Sequence, residues 1–160
     1  MDSCWCRWCR HIAIQIAKQA GAYVYTTASE RNTAFLKSLG ADEVINYTTT
    51  DFTMVAREID VVIDTIGGNV QNKSFQVLKK GGRLISVNSL PDQDLAEKYG
   101  VISQFVYGNR DKMSDLVKAF IHGQFVIHIE KEYSFTLDEV RQAQVDLSQG
   151  NTRGKRIVTI

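Results

Sequence analysis

The residues best suited to chemistry crowd one end of the chain. All three cysteines and both tryptophans fall within the first nine of 160 residues, in MDSCWCRWCRH. The run Cys4-x-Cys6-x-x-Cys9-x-His11 offers thiolates and an imidazole, the donor types that ligate zinc. Four ligands within eight residues would make a cramped loop, however. Three clustered cysteines cannot all pair within one chain, so no disulfide framework is expected. The stretch also reads as a segment translated from a foreign frame, or as a cysteine-rich tag. Elsewhere the reactive groups are scattered. His122 and His128 have neither a nucleophile nor a matching carboxylate and read as surface or packing residues. Asp60 and Asp64 read as simple strand-end residues, and no catalytic residue can be named.

Composition narrows the class. Hydrophobic residues at 44% and charged residues at 23% are ordinary for a globular domain and exclude a disordered tail, a collagen-like chain and a coiled coil. A net charge of +1 provides no basic field for nucleic acid or an anionic membrane. No apolar run approaches the roughly 18 residues of a membrane helix, and the Arg-rich N-terminus lacks the apolar core of a signal peptide. A cytoplasmic protein is the expectation.

From His11 onward strands and helices alternate. His11–Ala20 is predicted as a short helix with Ile12, Ala13, Ile16, Ala17 and Ala20 at helical spacing, stopped by Gly21. Residues 22–27 (AYVYTT) read as a strand. Ser29 is placed to cap a helix carrying Phe35, Leu36 and Leu39 and ending at Gly40. Strand 43–47 (EVINY), a brief helix near Phe52–Arg57, strand 60–64 (DVVID) and a Gly67-Gly68 turn follow. A helix is predicted to end at Lys80 and to lead through Gly81-Gly82 into strand 83–88 (RLISVN). Short strands rich in Val and Ile suit burial on both faces, and their alternation with helices implies an α/β, doubly wound parallel sheet. Later elements are a strand at 102–107, an amphipathic helix at 111–122, an extended run at 125–130, and a strand at 156–160. A capping box, Thr136 with Glu139, opens a further helix that ends at Gly150.

HIAIQIAKQAGAYV, LGADEVINY, DVVIDTIGG, LKKGGRLISV and NTRGKRIVTI follow one another in the order and spacing of one family. Residues 11–160 resemble the cofactor-binding and C-terminal part of a medium-chain dehydrogenase/reductase. The branch is the zinc-free, NADPH-dependent quinone oxidoreductase-like one. The resemblance implies a Rossmann-like domain over 11–124 and a segment, 125–160, that returns to the catalytic domain. It leaves residues 1–10 uncovered, along with the family's first strand, glycine loop and N-terminal catalytic domain. It also implies NADP(H) as cofactor, no zinc, and a quinone or enone as substrate.

Codon arithmetic connects the odd N-terminus to that missing loop. Shifted by one base, Trp5-Cys6 and Trp8-Cys9 each become Gly, while neighbouring pairs permit Ala, Val, Gly, His and Ile. The shifted peptide can read Ile-His-Ala-Gly-Ala-Gly-Gly-Val-Gly ahead of His11, which resembles a strand end followed by a phosphate-binding turn.

The resemblance places the remaining cofactor contacts. No carboxylate ends the 22–27 strand, which suits a 2′-phosphate rather than a free ribose hydroxyl. Ser29 and Arg31 match the family's 2′-phosphate grip and Tyr47 an aromatic beside it, although Ser29 could simply cap its helix and Arg31 could be a solvated charge. Ile66 and Gly67 would pack against the adenosine half of the cofactor, and Val87, Asn88 and Ser89 would face the nicotinamide half, with Phe105 and Val106 approaching by their backbone. A chain without the central strand would have two raw sheet edges. The expectation is therefore a marginal, truncated and inactive chain, with homodimer pairing through the 102–107 edge strand. The other readings kept open are a non-catalytic NADP(H)-binding or interaction module and a relic fragment.

Overall fold

The computed structural model describes residues 7–107, 112–149 and 153–160. Cys4 and Cys6, and so most of the zinc reading, lie outside them. Helix α1 spans Arg7–Gln19. Its buried stripe is His11 and Ile14, with Ala17 packed beside them, whereas Ile16 and Ala20 face outward. The buried face is thus shifted from the apolar stripe read from the sequence, sharing Ala17 with it.

Strand β1 (Tyr25–Ala28) starts later than the 22–27 reading, because Val24 carries the carbonyl that accepts from Asp42 and Glu43. Ser29 then opens a 3₁₀ turn, Glu30–Asn32, and its side chain accepts no capping hydrogen bond. Helix α2 (Thr33–Ser38) and strand β2 (Glu43–Asn46) follow, with β1 and β2 paired in parallel from Tyr25–Glu43 to Ala28–Asn46. Ile14, Val24, Ala28, Leu36 and Ala41 form the core beneath this half.

After a 3₁₀ turn at Phe52–Met54 come β3 (Ile59–Asp64), α3 (Gly68–Ser74), β4 (Leu78–Ser86), α4 (Gln93–Tyr99) and β5 (Ile102–Phe105). The helix expected to reach Lys80 stops at Ser74. Strand β4 instead begins at Leu78 and runs through Gly81-Gly82, because Leu78 pairs with Ile59 and a register irregularity takes up the glycines before Val61 meets Arg83. A Cβ on Gly82 would lie 2.8 Å from the Lys79 carbonyl oxygen, so only glycine fits there. Strands β3, β4 and β5 are all parallel, and Phe75, Leu78, Leu84, Ala96 and Val101 form their core.

A small third sheet joins β6 (Ile129–Ser134) and β7 (Lys155–Thr159), again in parallel. The extended run lies a few residues later than 125–130. Helix α5 (Met113–Ile121) precedes it, and its Met113, Val117, Phe120 and Ile121 are exposed. Helix α6 (Leu137–Ser148) opens with half a capping box. Thr136 Oγ1 accepts from the Glu139 amide, but the Glu139 carboxylate accepts from Ser134 rather than from Thr136. No helix among the described residues is long and apolar enough to cross a membrane.

The expected α/β architecture with parallel strands and alternating helices is present. The order is β2-β1, then β3-β4-β5, and among the described residues no strand lies between β1 and β3. Ile45 of β2, Ala56 and Val77 are buried together and close the lower core across that gap, with Tyr25 of β1 and Ile59 and Val62 of β3 packed against them. Leu84 is wholly buried. Leu84→Ala should cost about 2–5 kcal/mol in denaturant unfolding, while Val61→Ser, on a half-exposed face, should shift stability by about 0.5 kcal/mol or less.

Candidate functional site at the carboxyl edge of the sheet

Open α/β sheets bind ligands where strands end and helices begin, at the point where the strand order reverses. Here the ends of β1, β3 and β4 meet at that point, and the sequence of β3 dictates how. Its last residue, Asp64, is buried, and its Oδ1 accepts from the amides of Ile66 and Gly67 at 3.0 Å each. Its Oδ2 accepts from Gln71 Nε2 at 2.8 Å and Ser86 Oγ at 3.2 Å. Gln71 Nε2 also donates to Ser86 Oγ and to the Ser89 carbonyl, so α3 is tied to the ends of β3 and β4 together. A buried carboxylate is tolerable only when its lone pairs are satisfied in this way. Asp64 is therefore the node of the turn and not a bystander at a strand end.

The turn is tight. Gly67 has φ +80° and ψ −170°, a region open only to glycine. A Cβ there would lie 2.7 Å from Ser89 Oγ and 2.9 Å from Asn88 Nδ2. The Asn88 amide donates to the Ile66 carbonyl, locking the β4 end over the β3 turn.

Beside this turn opens a cleft of about 510 Å³, lined by Ser29, Asn32, Tyr47, Ile66, Asn69 and Arg153 among others. Three cations reach it. Lys73 pairs with Asp51 at 2.6 Å, and that partner holds the Asp51 carboxyl down at about 2. Arg153 Nε donates to Asn32 Oδ1 at 3.1 Å and its Nη2 to the Arg31 carbonyl at 2.9 Å. Arg10, in the first turns of α1, donates from Nη1 to the Thr27 carbonyl and from Nε to Thr65 Oγ1, both at 3.2 Å. It therefore spans the carboxyl ends of β1 and β3. The Glu30 carboxylate accepts from Asn46 outside the cleft.

The sequence-derived residues divide. Ser29, Tyr47 and Ile66 line the cleft, and Gly67 and Asn88 build the turn behind it. Arg31 is exposed and meets the cleft only through its carbonyl on Arg153. Val87 does not line the cleft, and its amide donates to the Asp64 carbonyl. Arg153, Lys73 and Arg10 were missed. Arg153 is brought in from more than a hundred residues away, a proximity no local pattern encodes.

His11 also lines the cleft. It packs edge-on against Phe35 at 4.8 Å, and His128 packs against the same ring at 4.9 Å. Burial, helped by His128 and Arg10, pushes its pKa down to about 4. Cys9, two residues before it, is a free, half-buried thiol, and no three His, Cys, Asp or Glu side chains among the described residues are grouped to hold a metal.

Comparison with known proteins agrees with this architecture. A family model for zinc-binding dehydrogenases matches residues 39–158. The quinone oxidoreductase structure from Coxiella burnetii superposes with a TM-score of 0.83 at 35% identity, covering 94% of this chain and 49% of that one. A probable zinc-binding oxidoreductase, mitochondrial, from Arthroderma benhamiae is 28% identical over 92% of this chain and 47% of its own length. Prostaglandin reductase-3 from Bos taurus is 28% identical over 74% of this chain and 38% of its own. The chain spans about half the length or less of these relatives. It belongs to the zinc-binding dehydrogenase family, within the quinone oxidoreductase-like branch of the medium-chain dehydrogenase/reductases.

Two measurements check the site. Gly67→Ala should destabilise by about 1–3 kcal/mol through backbone strain, before the clash with Ser89 and Asn88 is added. Unfolded, His11 titrates near 6.5, whereas folded it stays neutral down to about 4. Between those values the unfolded chain binds the extra proton. The stability is therefore complete above pH 6.5 and is lost as pH falls toward 4, by on the order of 2 kcal/mol. His11→Phe, which keeps a ring on Phe35, should flatten that part of the pH profile of thermal unfolding.

Proposed function

We propose that the carboxyl-edge cleft holds the adenosine-ribose end of NADP(H), and that the chain is the cofactor-binding portion of an oxidoreductase acting on a quinone or enone. The observation that carries this is the cleft's charge. At the end of β1, where NAD-binding sheets place a carboxylate for the ribose hydroxyls, the cleft presents Ser29, Asn32 and Arg153, with Tyr47 alongside. Among the described residues the one acidic side chain lining it, Asp51, is taken up by Lys73. Arg153 is oriented by the bonds its Nε and Nη2 make to Asn32 and Arg31, and a planar guanidinium held in place is a group suited to a phosphate.

Ile66 and the Gly67 backbone would pack against the adenosine half, with Asn88 holding the turn and Val87 reaching toward the nicotinamide half. Arg31 adds only long-range charge. The bound nicotinamide supplies the hydride for an electron-poor substrate carbon. The chain's own residues bind and orient, and no side chain here is assigned to proton transfer or to a zinc. Arg10 stands where the pyrophosphate would cross between strand ends, and its guanidinium is the natural partner for that charge. The reading includes a cytoplasmic location. It also includes a homodimer through the outer edge of β5, which pairs only with β4 among the described residues.

Adenosine 2′,5′-bisphosphate isolates the cleft from the rest of the cofactor. It should bind at least about tenfold tighter than adenosine 5′-diphosphate, roughly 1.4 kcal/mol, by isothermal titration. Arg153→Ala and Ser29→Ala should bring that ratio toward one. Equal or tighter binding of the 5′-diphosphate would overturn the NADP(H) reading.

A further inference from the structure

The 2′-phosphate grip at Ser29 and Arg153 leaves one charged pair of the cleft unused, Lys73 with Asp51. Lys73 stands on α3 and Asp51 on the segment after β2, and the ammonium nitrogen lies 2.6 Å from Asp51 Oδ2. Both side chains line the same cleft as Ser29, Ile66 and Arg153. Each is 40% exposed, and an exposed pair of this kind adds little to stability. Its geometry is nonetheless fixed. Asp51 Oδ1 accepts from the Thr53 amide at 3.1 Å and from Thr53 Oγ1 at 2.9 Å, which caps the 3₁₀ turn and holds the carboxylate in place. Pairing does not exhaust the two groups. A carboxylate oxygen has more than one acceptor direction and an ammonium has three N–H donors, so Oδ2 and Nζ each keep capacity beyond their mutual bond.

We propose that Asp51 and Lys73 together read the edge of the purine, Asp51 accepting from the 6-amino group and Lys73 donating to ring N1, so that the cleft selects adenine over a 6-oxo purine. Resting on the nucleotide reading above, this assignment follows from the ligand's own geometry. The 2′-phosphate and the base sit on adjacent carbons of one ribose, so a phosphate at Ser29 and Arg153 leaves the base inside the same cleft. The walls suit a flat ring. Ile66, Phe52 and Val70 are apolar, Phe52 directly follows Asp51, and Val70 lies one helical turn before Lys73 on α3. The charges match only one order of groups. Adenine presents an N–H donor at position 6 beside an acceptor at N1, whereas hypoxanthine presents an acceptor at position 6 beside an N–H donor at N1. A carboxylate can only accept and an ammonium can only donate. With Asp51 pinned by Thr53 and Lys73 rooted on α3, hypoxanthine sets its oxygen against the carboxylate and its N–H against the ammonium. A site whose polar groups are left unpaired in this way rejects the analogue.

Isothermal titration of the full chain with adenosine 2′,5′-bisphosphate and with inosine 2′,5′-bisphosphate isolates the base. The adenosine compound should bind at least about tenfold tighter, since two charge-assisted hydrogen bonds are made with one base and lost with the other. Asp51→Asn keeps an oxygen to cap Thr53 but presents an N–H in place of Oδ2, and should bring that ratio to about twofold or less. Lys73→Met keeps the apolar stem, loses the donor to N1, and should lower the ratio at least about threefold. A ratio of two ligands on one protein cancels any general loss of affinity or of folded chain. Equal binding of the two compounds by the unaltered chain would overturn the assignment, as would an undiminished ratio in Asp51→Asn. A lead of the adenosine compound over the inosine compound, with none over adenosine 5′-diphosphate, upholds the base-reading pair and removes the 2′-phosphate reading. The converse, a 2′-phosphate preference with no base preference, removes the pair's role alone.

Discussion

A parallel strand satisfies its backbone only with neighbours on its edges, and among the described residues that requirement is met on one side of β1 and one side of β3. Everything near the centre of the molecule responds to that constraint. Arg10 spans the two strand ends with side-chain donors. The cluster of Ile45, Ala56 and Val77 joins the halves below. These contacts keep β1 and β3 facing one another.

At the carboxyl edge the constraint is different: a buried charge must be fully bonded. Asp64 meets it with two turn amides, Gln71 and Ser86. In doing so it fixes the turn that Gly67 alone can make, and it anchors α3 against the end of β4. The cleft beside that turn gets its shape from Asp64 and its charge from Arg153, Lys73 and Arg10. The charge comes from both ends of the chain and from α3, and the fold brings it to the turn that Asp64 shapes.

Much of this was legible in the residues. DVVID and EVIN announce parallel strands, although Val61 and Ile63 stand half exposed, the Gly67 turn follows an acidic strand end, and Ser29 and Tyr47 both line the cleft. What was not legible depends on tertiary contact. Arg31 and Arg153 are both basic, and only the fold reveals that the first faces solvent while the second reaches the cleft. Helix α1 buries His11 and Ile14 instead of Ile16, because its orientation is set by β1 and α2 rather than by its own periodicity. Glycines in LKKGGRL read as a helix stop, yet they sit inside a strand, where an irregular register leaves no room for a side chain. Asp64 carried a signal, an acidic residue closing an apolar strand before a glycine turn, but its four partners lie on three elements.

The most direct test of the account is a backbone amide spectrum of the ¹⁵N-labelled chain titrated with NADPH. The expected result is a contiguous set of shifts at Ser29, Asn32, Tyr47, Ile66, Gly67 and Arg153, with β6 and α6 silent. Shifts confined to α5 or to β6 and β7, or none at millimolar NADPH, would contradict the claim that the carboxyl edge between β1 and β3 is the nucleotide site.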